Sequence, residues 1–192
     1  ISAAFASRHL YVYGTGGNPT PEELRARTEV ATQAANWSAY RGEFAGRVMF
    51  FPRVVADKDV RPSDLASANL ILFGTKETNA LIGKYSDRLP LQLNANATGY
   101  GLFYVFPVDG HYVAVSSGLP WWTGLLAQGY PFVPPVQRVL ADFQDFILFR
   151  ESPRNVVAEG HFDANWRTPE NEAKALTATG VVTVAPVVSS VK

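Results

Sequence analysis

Two stretches of this chain are almost copies of one another, and each reads as a buried strand that ends in Gly-Thr. Residues 9–15 are His-Leu-Tyr-Val-Tyr-Gly-Thr, and residues 69–75 are Asn-Leu-Ile-Leu-Phe-Gly-Thr. Neither apolar run alternates strictly, which is typical of a strand covered on both faces. Since a predicted helix follows each run, the repeat predicts a parallel α/β sheet with polar loops at the carboxyl ends of its strands, where ligands bind in such folds.

Helix signals and turn signals place the remaining elements. Thr20 and Glu23 can form a capping box around Pro21, which predicts a helix that reaches about Tyr40 and is ended by Gly42. Before residue 90 we further predict a strand at 48–51, its exit loop at 56–59, a short helix at 62–65 and a helix over 77–89. After residue 90 we predict an antiparallel hairpin from 100–106 and 111–115, a helix around 135–142, a strand at 145–149, and strand-like pieces at 156–162 and 181–188.

These elements define the expected fold class. It is a three-layer α/β fold with a mainly parallel, flavodoxin-like sheet, an antiparallel hairpin and a C-terminal β extension. We expect residues 1–152 to form the α/β domain and residues 153–192 to be a β extension or docking tail of the same domain.

Composition excludes several classes of function. The 17 Lys and Arg residues balance 17 Asp and Glu residues, so the chain lacks the basic excess that nucleic acids or anionic membranes require, and neither is expected as a partner. There is no cysteine, which removes thiol nucleophiles and Cys-based metal centres. No apolar run approaches the ~18 residues of a membrane span. The chain begins at Ile1 rather than Met, which we interpret as a processed protein or a piece of a longer one.

The loops after the twin strands are the candidate ligand site. A glycine-rich loop between a strand and a helix can turn backbone amides toward a phosphate, and flavodoxins use such a loop for the flavin phosphate. The dinucleotide spacing G-x-G-x-x-G and the P-loop lysine are both missing, so a tight turn that needs glycine is the alternative. The predicted site for a small ligand, flavin or nucleotide consists of Gly14, Thr15, Gly16, Gly17, Asn18, Thr75 and Asn79.

No catalytic or metal signature accompanies this site, and no resident cofactor is predicted. His9, His111 and His161 lie in separate strand-like runs without metal-ligand spacing, so each is interpreted as a partly exposed strand histidine. A serine hydrolase needs a G-x-S-x-G turn, and the nearest approach, at 115–118, lacks the first glycine. We therefore predict no catalytic residue and no metal ligand.

Two further features have a functional and a structural interpretation. The pairs Asp57 and Asp59, and Asp142 and Asp145, could serve acid–base chemistry, but a solvated loop and a helix end are the preferred interpretations. Trp121-Trp122 could form an exposed aromatic platform or pack against the sheet.

Four segments together resemble a known class of proteins: Ile1–Phe5, Leu10–Gly16, Ala68–Asn79 and Asp87–Pro90. They look like the C-terminal region of large bacterial secreted or periplasmic α/β-hydrolases of the prolyl-oligopeptidase-like class, which are peptidases and esterases. In those proteins the domain with the G-x-S-x-G serine lies upstream, and a flavodoxin-like region follows it. The likeness covers most of residues 1–150 by order of elements.

The resemblance implies a noncatalytic accessory or interaction domain of a secreted or periplasmic hydrolase. Its partner would be the upstream hydrolase domain of the same polypeptide. No catalytic triad can be carried over, because the serine elbow is absent from these residues. This interpretation predicts an apolar docking surface, with Trp121-Trp122 and the strand at 181–188 as candidates. The alternative is a small-ligand, flavin or nucleotide binder that uses the Gly-Thr loops.

Overall fold

A computed structural model describes residues 1–45, 53–125, 140 and 142–185, with only the backbone of helix residues 36–45. The fold is α/β, built on a seven-stranded mixed sheet and a small two-stranded antiparallel sheet. Numbered in chain order, its strands are β1 (His9–Tyr13), β2 (Arg53–Ala56), β3 (Asn69–Phe73), β5 (Tyr100–Val108), β6 (His111–Gly118), β7 (Phe146–Arg150) and β8 (Ser152–Gly160). They lie in the order β2-β1-β3-β6-β5-β7-β8. Five of them run in one direction, and β5 and β8 run in the other.

The twin Gly-Thr strands are neighbours in the parallel half of this sheet. They are β1 (His9–Tyr13) and β3 (Asn69–Phe73), and they pair in parallel from His9 opposite Asn69 to Tyr13 opposite Phe73. The outer neighbour of β1 is β2 (Arg53–Ala56). The sequence-based prediction of a parallel α/β unit is therefore confirmed, and the carboxyl ends of the three strands lie at one edge.

The other half of the sheet is antiparallel. The predicted hairpin is confirmed as β5 (Tyr100–Val108) and β6 (His111–Gly118). Its tight turn places Asp109 and Gly110 at positive φ, as an Asp-Gly turn of the hairpin type requires. β6 also pairs in parallel with β3, which joins the two halves. The outer strands are β7 (Phe146–Arg150) and β8 (Ser152–Gly160), and their pairing is interrupted by a bulge.

Helix α1 (Pro21–Ala45) begins where the capping box predicts. The Thr20 N–H donates to the Glu23 carboxylate at 2.8 Å, and the Glu23 N–H donates to the Thr20 hydroxyl at 3.2 Å. The prediction that Gly42 ends this helix is wrong, since the helix runs on to Ala45. One glycine costs a helix only about 1 kcal/mol relative to alanine, so it does not end a helix by itself.

The other helices are short. α2 (Pro62–Leu65) matches its prediction, and the exit loop after β2 contains a 3₁₀ turn over Asp57–Asp59. α3 (Ala80–Tyr85) is shorter than the predicted 77–89, because Asn79 caps its first turn and the preceding residues form the loop after β3. α4 (Glu170–Ala178) lies in the C-terminal part.

Alternate residues of β1, β3, β5, β6 and β7 point into two apolar layers. The layer on one face contains side chains of α3 and α4 together with Leu10, Leu70, Leu102 and Leu148. The layer on the opposite face contains the small residues Ala31, Ala34 and Ala35 of α1, which bring that helix close to Tyr11 and Ile71. Helices thus cover both faces of the sheet, which explains the continuous apolar runs of its strands.

The small sheet pairs β4 (Leu91–Leu93) with β9 (Val182–Val184). The strand predicted at 181–188 is therefore present in its first part, paired outside the main sheet. The strand predicted at 48–51, nearly all of the helix around 135–142, and residues 186–188 of the last strand lie outside the described residues.

Candidate functional site

The loops after β1 and β3 lie against one another at the carboxyl edge of the sheet. The Gly16 N–H donates to the Thr78 carbonyl at 2.9 Å, a direct backbone bond between the loops. At Gly14 the approach is closer still, since a Cβ there would collide with the same carbonyl. Glycine is required here because two backbones come into contact. The two loops that sequence analysis placed at one edge are therefore side by side.

Asp57, from the loop after β2, holds the two Gly-Thr loops together. Its Oδ1 accepts the Thr15 hydroxyl at 2.7 Å, the Thr15 N–H at 3.1 Å and the Lys58 N–H at 2.9 Å. Its Oδ2 accepts the Ala80 N–H, at the start of α3, at 2.7 Å. Three loops that are distant in sequence thus share one carboxylate.

The environment of Asp57 keeps it ionised. Only 4% of the residue is exposed, and burial alone would raise the pKa of its carboxyl. The hydrogen bonds from Ala80, Thr15 and Lys58 outweigh burial, so the pKa lies below its ordinary value. The interpretation of Asp57 as part of a solvated loop is wrong, whereas its neighbour Asp59 is exposed.

Asn79 is a further buried polar side chain at this edge of the sheet. It is completely buried, and its amide nitrogen donates to the Val12 carbonyl at 3.2 Å and to the Phe73 carbonyl at 3.1 Å. Its side-chain oxygen accepts the N–H groups of Leu81 and Ile82, which caps α3. Asn79 therefore joins the ends of both twin strands to the following helix.

The remaining predicted site residues shape the loops. Gly17 and Asn18 both have positive φ, which produces the turn before α1. Thr75 donates its N–H to the Thr78 hydroxyl at 2.8 Å. A hydrogen bond from Thr75 also lowers the pKa of the Glu77 carboxyl. The seven predicted residues lie in two adjoining loops, and their assignment as a cofactor site stays a prediction.

Arg27 of α1 is a further member of the site that sequence analysis did not select. Its Nη1 donates to the Gly16 carbonyl at 2.8 Å and to the Gly14 carbonyl at 3.2 Å. Its position could have indicated this contact, because Arg27 lies in the second turn of the helix that follows the glycine loop. Asp57 had a comparable signal, as the first residue after a buried strand end.

The three histidines lie apart from this edge. His9 contacts the Ser7 carbonyl, His111 contacts the Ala66 carbonyl, and His161 pairs at 3.2 Å with Asp145. His161 is largely exposed. Among the described residues, no group of His, Asp and Glu side chains is arranged to hold a metal ion.

The tryptophan pair belongs to the core. Trp121 is fully buried and stacks on Phe103 with ring centroids 4.4 Å apart, and Trp122 donates its indole N–H to Gln33 of α1. The prediction of a docking surface at these tryptophans is wrong, because both rings pack on the α1 face of the sheet. Two residues of the other predicted candidate, Val181 and Val182, are buried as well.

Comparisons with known proteins give no family to which this arrangement can be referred. The chain matches no protein-family model, no curated protein and no solved structure. Within the described ranges, no helix is both long enough and apolar enough to cross a bilayer.

Proposed function

We propose that this chain is a noncatalytic accessory or interaction domain, flavodoxin-like in fold, of a larger bacterial hydrolase that is secreted or periplasmic. Its partner is an α/β-hydrolase domain of the same polypeptide, a peptidase or esterase. The strand order β2-β1-β3 supports the flavodoxin-like assignment, because a flavodoxin-like sheet begins with the order 2-1-3.

The proposal depends on one observation: the buried polar side chains at the carboxyl edge of the sheet form their hydrogen bonds within the chain. The Asp57 carboxylate accepts four hydrogen bonds, and the Asn79 side chain takes part in four, all with other groups of the chain itself. An enzyme of this architecture directs such groups toward a substrate in the crevice. Here they stabilise the scaffold, which favours a structural or interaction role.

The edge strand β8 supplies a candidate docking surface. Val156 and Val157 are the large apolar side chains that the described residues leave exposed, at 44% and 42%. Both lie at the bulge opposite Phe149, and Pro153 lies in the same strand. Bulges and prolines are common at sheet edges that must not pair freely with other strands. We place the contact with the hydrolase domain on this bulged edge.

A binding experiment with single substitutions tests this surface. The chain and the adjoining hydrolase domain are produced separately, and their affinity is measured by calorimetry. Val156→Lys removes apolar contact and adds a charge, and we expect it to weaken binding at least 10-fold. Asn155→Lys adds the same charge at an exposed neighbour and is the matched control. Equal affinities for the two variants, or no binding by the wild-type chain, would contradict the proposal.

Two assays of the purified chain separate this role from the others. Stable labelling of one of its serines by a fluorophosphonate would refute a noncatalytic role. Release of flavin or nucleotide on denaturation, seen by absorption spectroscopy, would instead support the ligand-binding alternative at the Gly-Thr loops.

A further inference from the structure

A small cavity lies beside the Gly-Thr loops, at the carboxyl ends of the parallel strands β3 and β6 and beneath α1. Its volume is about 130 Å³. Liquid water occupies ~30 Å³ per molecule, so the cavity has room for about four waters. Its lining includes Arg27, Phe73, Gly74, Thr78, Ser116 and Gly118. We propose that this cavity binds a small oxyanion, with Arg27 and Ser116 as its ligands.

The charge of the lining favours an anion. Among the described residues that line the cavity, Arg27 is the one with a charged side chain, and none is a carboxylate. The rest of the wall is largely apolar, including Phe73, Val30 and Pro120. A low-polarity wall strengthens the attraction between a guanidinium and an anion relative to the same pair in water.

The geometry of Arg27 also favours an anion. Its Nη1 is fixed by the carbonyls of Gly14 and Gly16. A guanidinium carries five N–H donors, and those on Nε and Nη2 have no hydrogen-bond partner among the described residues. The Arg27 side chain is therefore held in place, while its Nε and Nη2 donors stay available to a ligand. Arginine in this state suits the oxygens of a carboxylate or phosphate.

Ser116 is the second residue that we assign as a ligand of the anion. It lies on the α1 face of the sheet, level with Phe73 on one neighbouring strand and with Phe103 on the other. The residue is only 4% exposed, yet its hydroxyl has no hydrogen-bond partner among the described residues. The adjacent Ser117 is different, since its hydroxyl donates to the Gly74 carbonyl at 2.7 Å. Ser116 lines the cavity, so an oxyanion bound there can accept the hydrogen bond that this hydroxyl has free to donate.

The inference is independent of the proposed accessory role, because it concerns a cavity at the carboxyl edge of the sheet, whereas the accessory role uses the edge strand β8. Carboxylate and phosphate groups both offer the oxygen acceptors that these two residues recognise. Phosphate and acetate are therefore used as separate probes, to show which of the two groups binds. The thermal stability of the full chain is followed while sodium phosphate or sodium acetate is added, with sodium chloride at equal ionic strength as reference. Saturable stabilisation beyond the chloride reference is the expected result, by phosphate for a phosphate site and by acetate for a carboxylate site.

Variants locate the binding. Ser116→Ala removes one hydrogen bond to the anion and should weaken binding roughly 10-fold. Ser117→Ala is its control and should leave the anion affinity unchanged. Arg27→Gln should abolish the saturable response, whereas Arg25→Gln removes an equal charge from the exposed side of the same helix and should preserve it.

Two results would overturn the inference. One is a wild-type chain that responds to phosphate and acetate no differently from chloride. The other is an anion affinity that is the same in Ser116→Ala as in the wild-type chain. The serine variant decides the matter even if Arg27→Gln fails to fold, because it removes a hydroxyl that bonds to no described residue.

Discussion

Replacing Asp57 by asparagine tests whether one carboxylate holds the three loops together. Asparagine has nearly the same shape, but one of its two polar atoms is an NH₂ donor. If the amide oxygen keeps the three bonds made by Oδ1, the NH₂ group faces the Ala80 N–H, which now donates to Oδ2 at 2.7 Å. In the variant the new NH₂ group and the Ala80 N–H, both hydrogen-bond donors, therefore face one another at a site with little access to water.

The size of the effect follows from these bonds. A hydrogen bond to a charged group contributes about 1.5–3 kcal/mol, and an unsatisfied buried donor costs about 1–3 kcal/mol. Asp57→Asn loses one such bond outright and weakens three, so we expect a loss of about 2–4 kcal/mol in the free energy of unfolding. Asp57→Ala leaves all four donors without the carboxylate and should lose about 3–5 kcal/mol.

The pH dependence has a definite sign. The folded-state pKa of Asp57 lies below its ordinary value, so the unfolded chain binds the proton more readily. The carboxylate's stabilisation is complete above the unfolded-state pKa of ~4 and is lost as pH falls through the lower, folded-state pKa. The difference between wild type and Asp57→Asn should thus be full at neutral pH and decrease in acid.

Urea unfolding monitored by tryptophan fluorescence measures this difference from pH 7 to pH 3. Asp59→Asn, an exposed carboxylate in the same turn, is the matched control and should change stability by less than about 0.5 kcal/mol. The reasoning is refuted if Asp57→Asn matches this control at pH 7, or if its deficit is unchanged in acid.

Two substitutions test the ends of the glycine loop. Gly14→Ala places a methyl group against the backbone carbonyl of Thr78, which cannot move aside without shifting its loop. We expect the free energy of unfolding to fall by about 3 kcal/mol, and an unchanged urea midpoint would show that the loops are farther apart. Thr20→Ala removes the acceptor for the Glu23 N–H and should cost about 1 kcal/mol, measured by thermal unfolding; the absence of any effect would mean that the cap contributes nothing in solution.

Much of the strand pairing could be predicted from the sequence, because the patterns that indicate it are local. The matched runs ending in Gly-Thr predict that β1 and β3 are parallel strands, and they pair residue for residue. The Asp-Gly turn similarly predicts the β5–β6 hairpin, since few other residues adopt positive φ at both central positions.

The site was less accessible to sequence reasoning, because its decisive contacts join distant segments. Asp57 accepts from Thr15 and Ala80, which are 42 and 23 positions away. The hydrophobic periodicity of a sequence carries no information on such a long-range contact. In the sequence, an aspartate after a strand is therefore indistinguishable from a solvated loop residue. The docking interpretation of the tryptophan pair was wrong for the same reason, since Phe103, whose ring stacks on Trp121, belongs to the distant strand β5. The other interpretation, packing against the sheet, is confirmed.

The small sheet has a consequence for how the chain opens. Two strands of three residues cannot persist alone, so β4 and β9 depend on the burial of Leu91 and Val182 beneath the main sheet. β9 pairs with β4 and not with a strand of the seven-stranded sheet, so we expect α4 and β9 to detach together before that sheet opens. Their amides should exchange with solvent as one group, through an opening that requires less free energy than global unfolding.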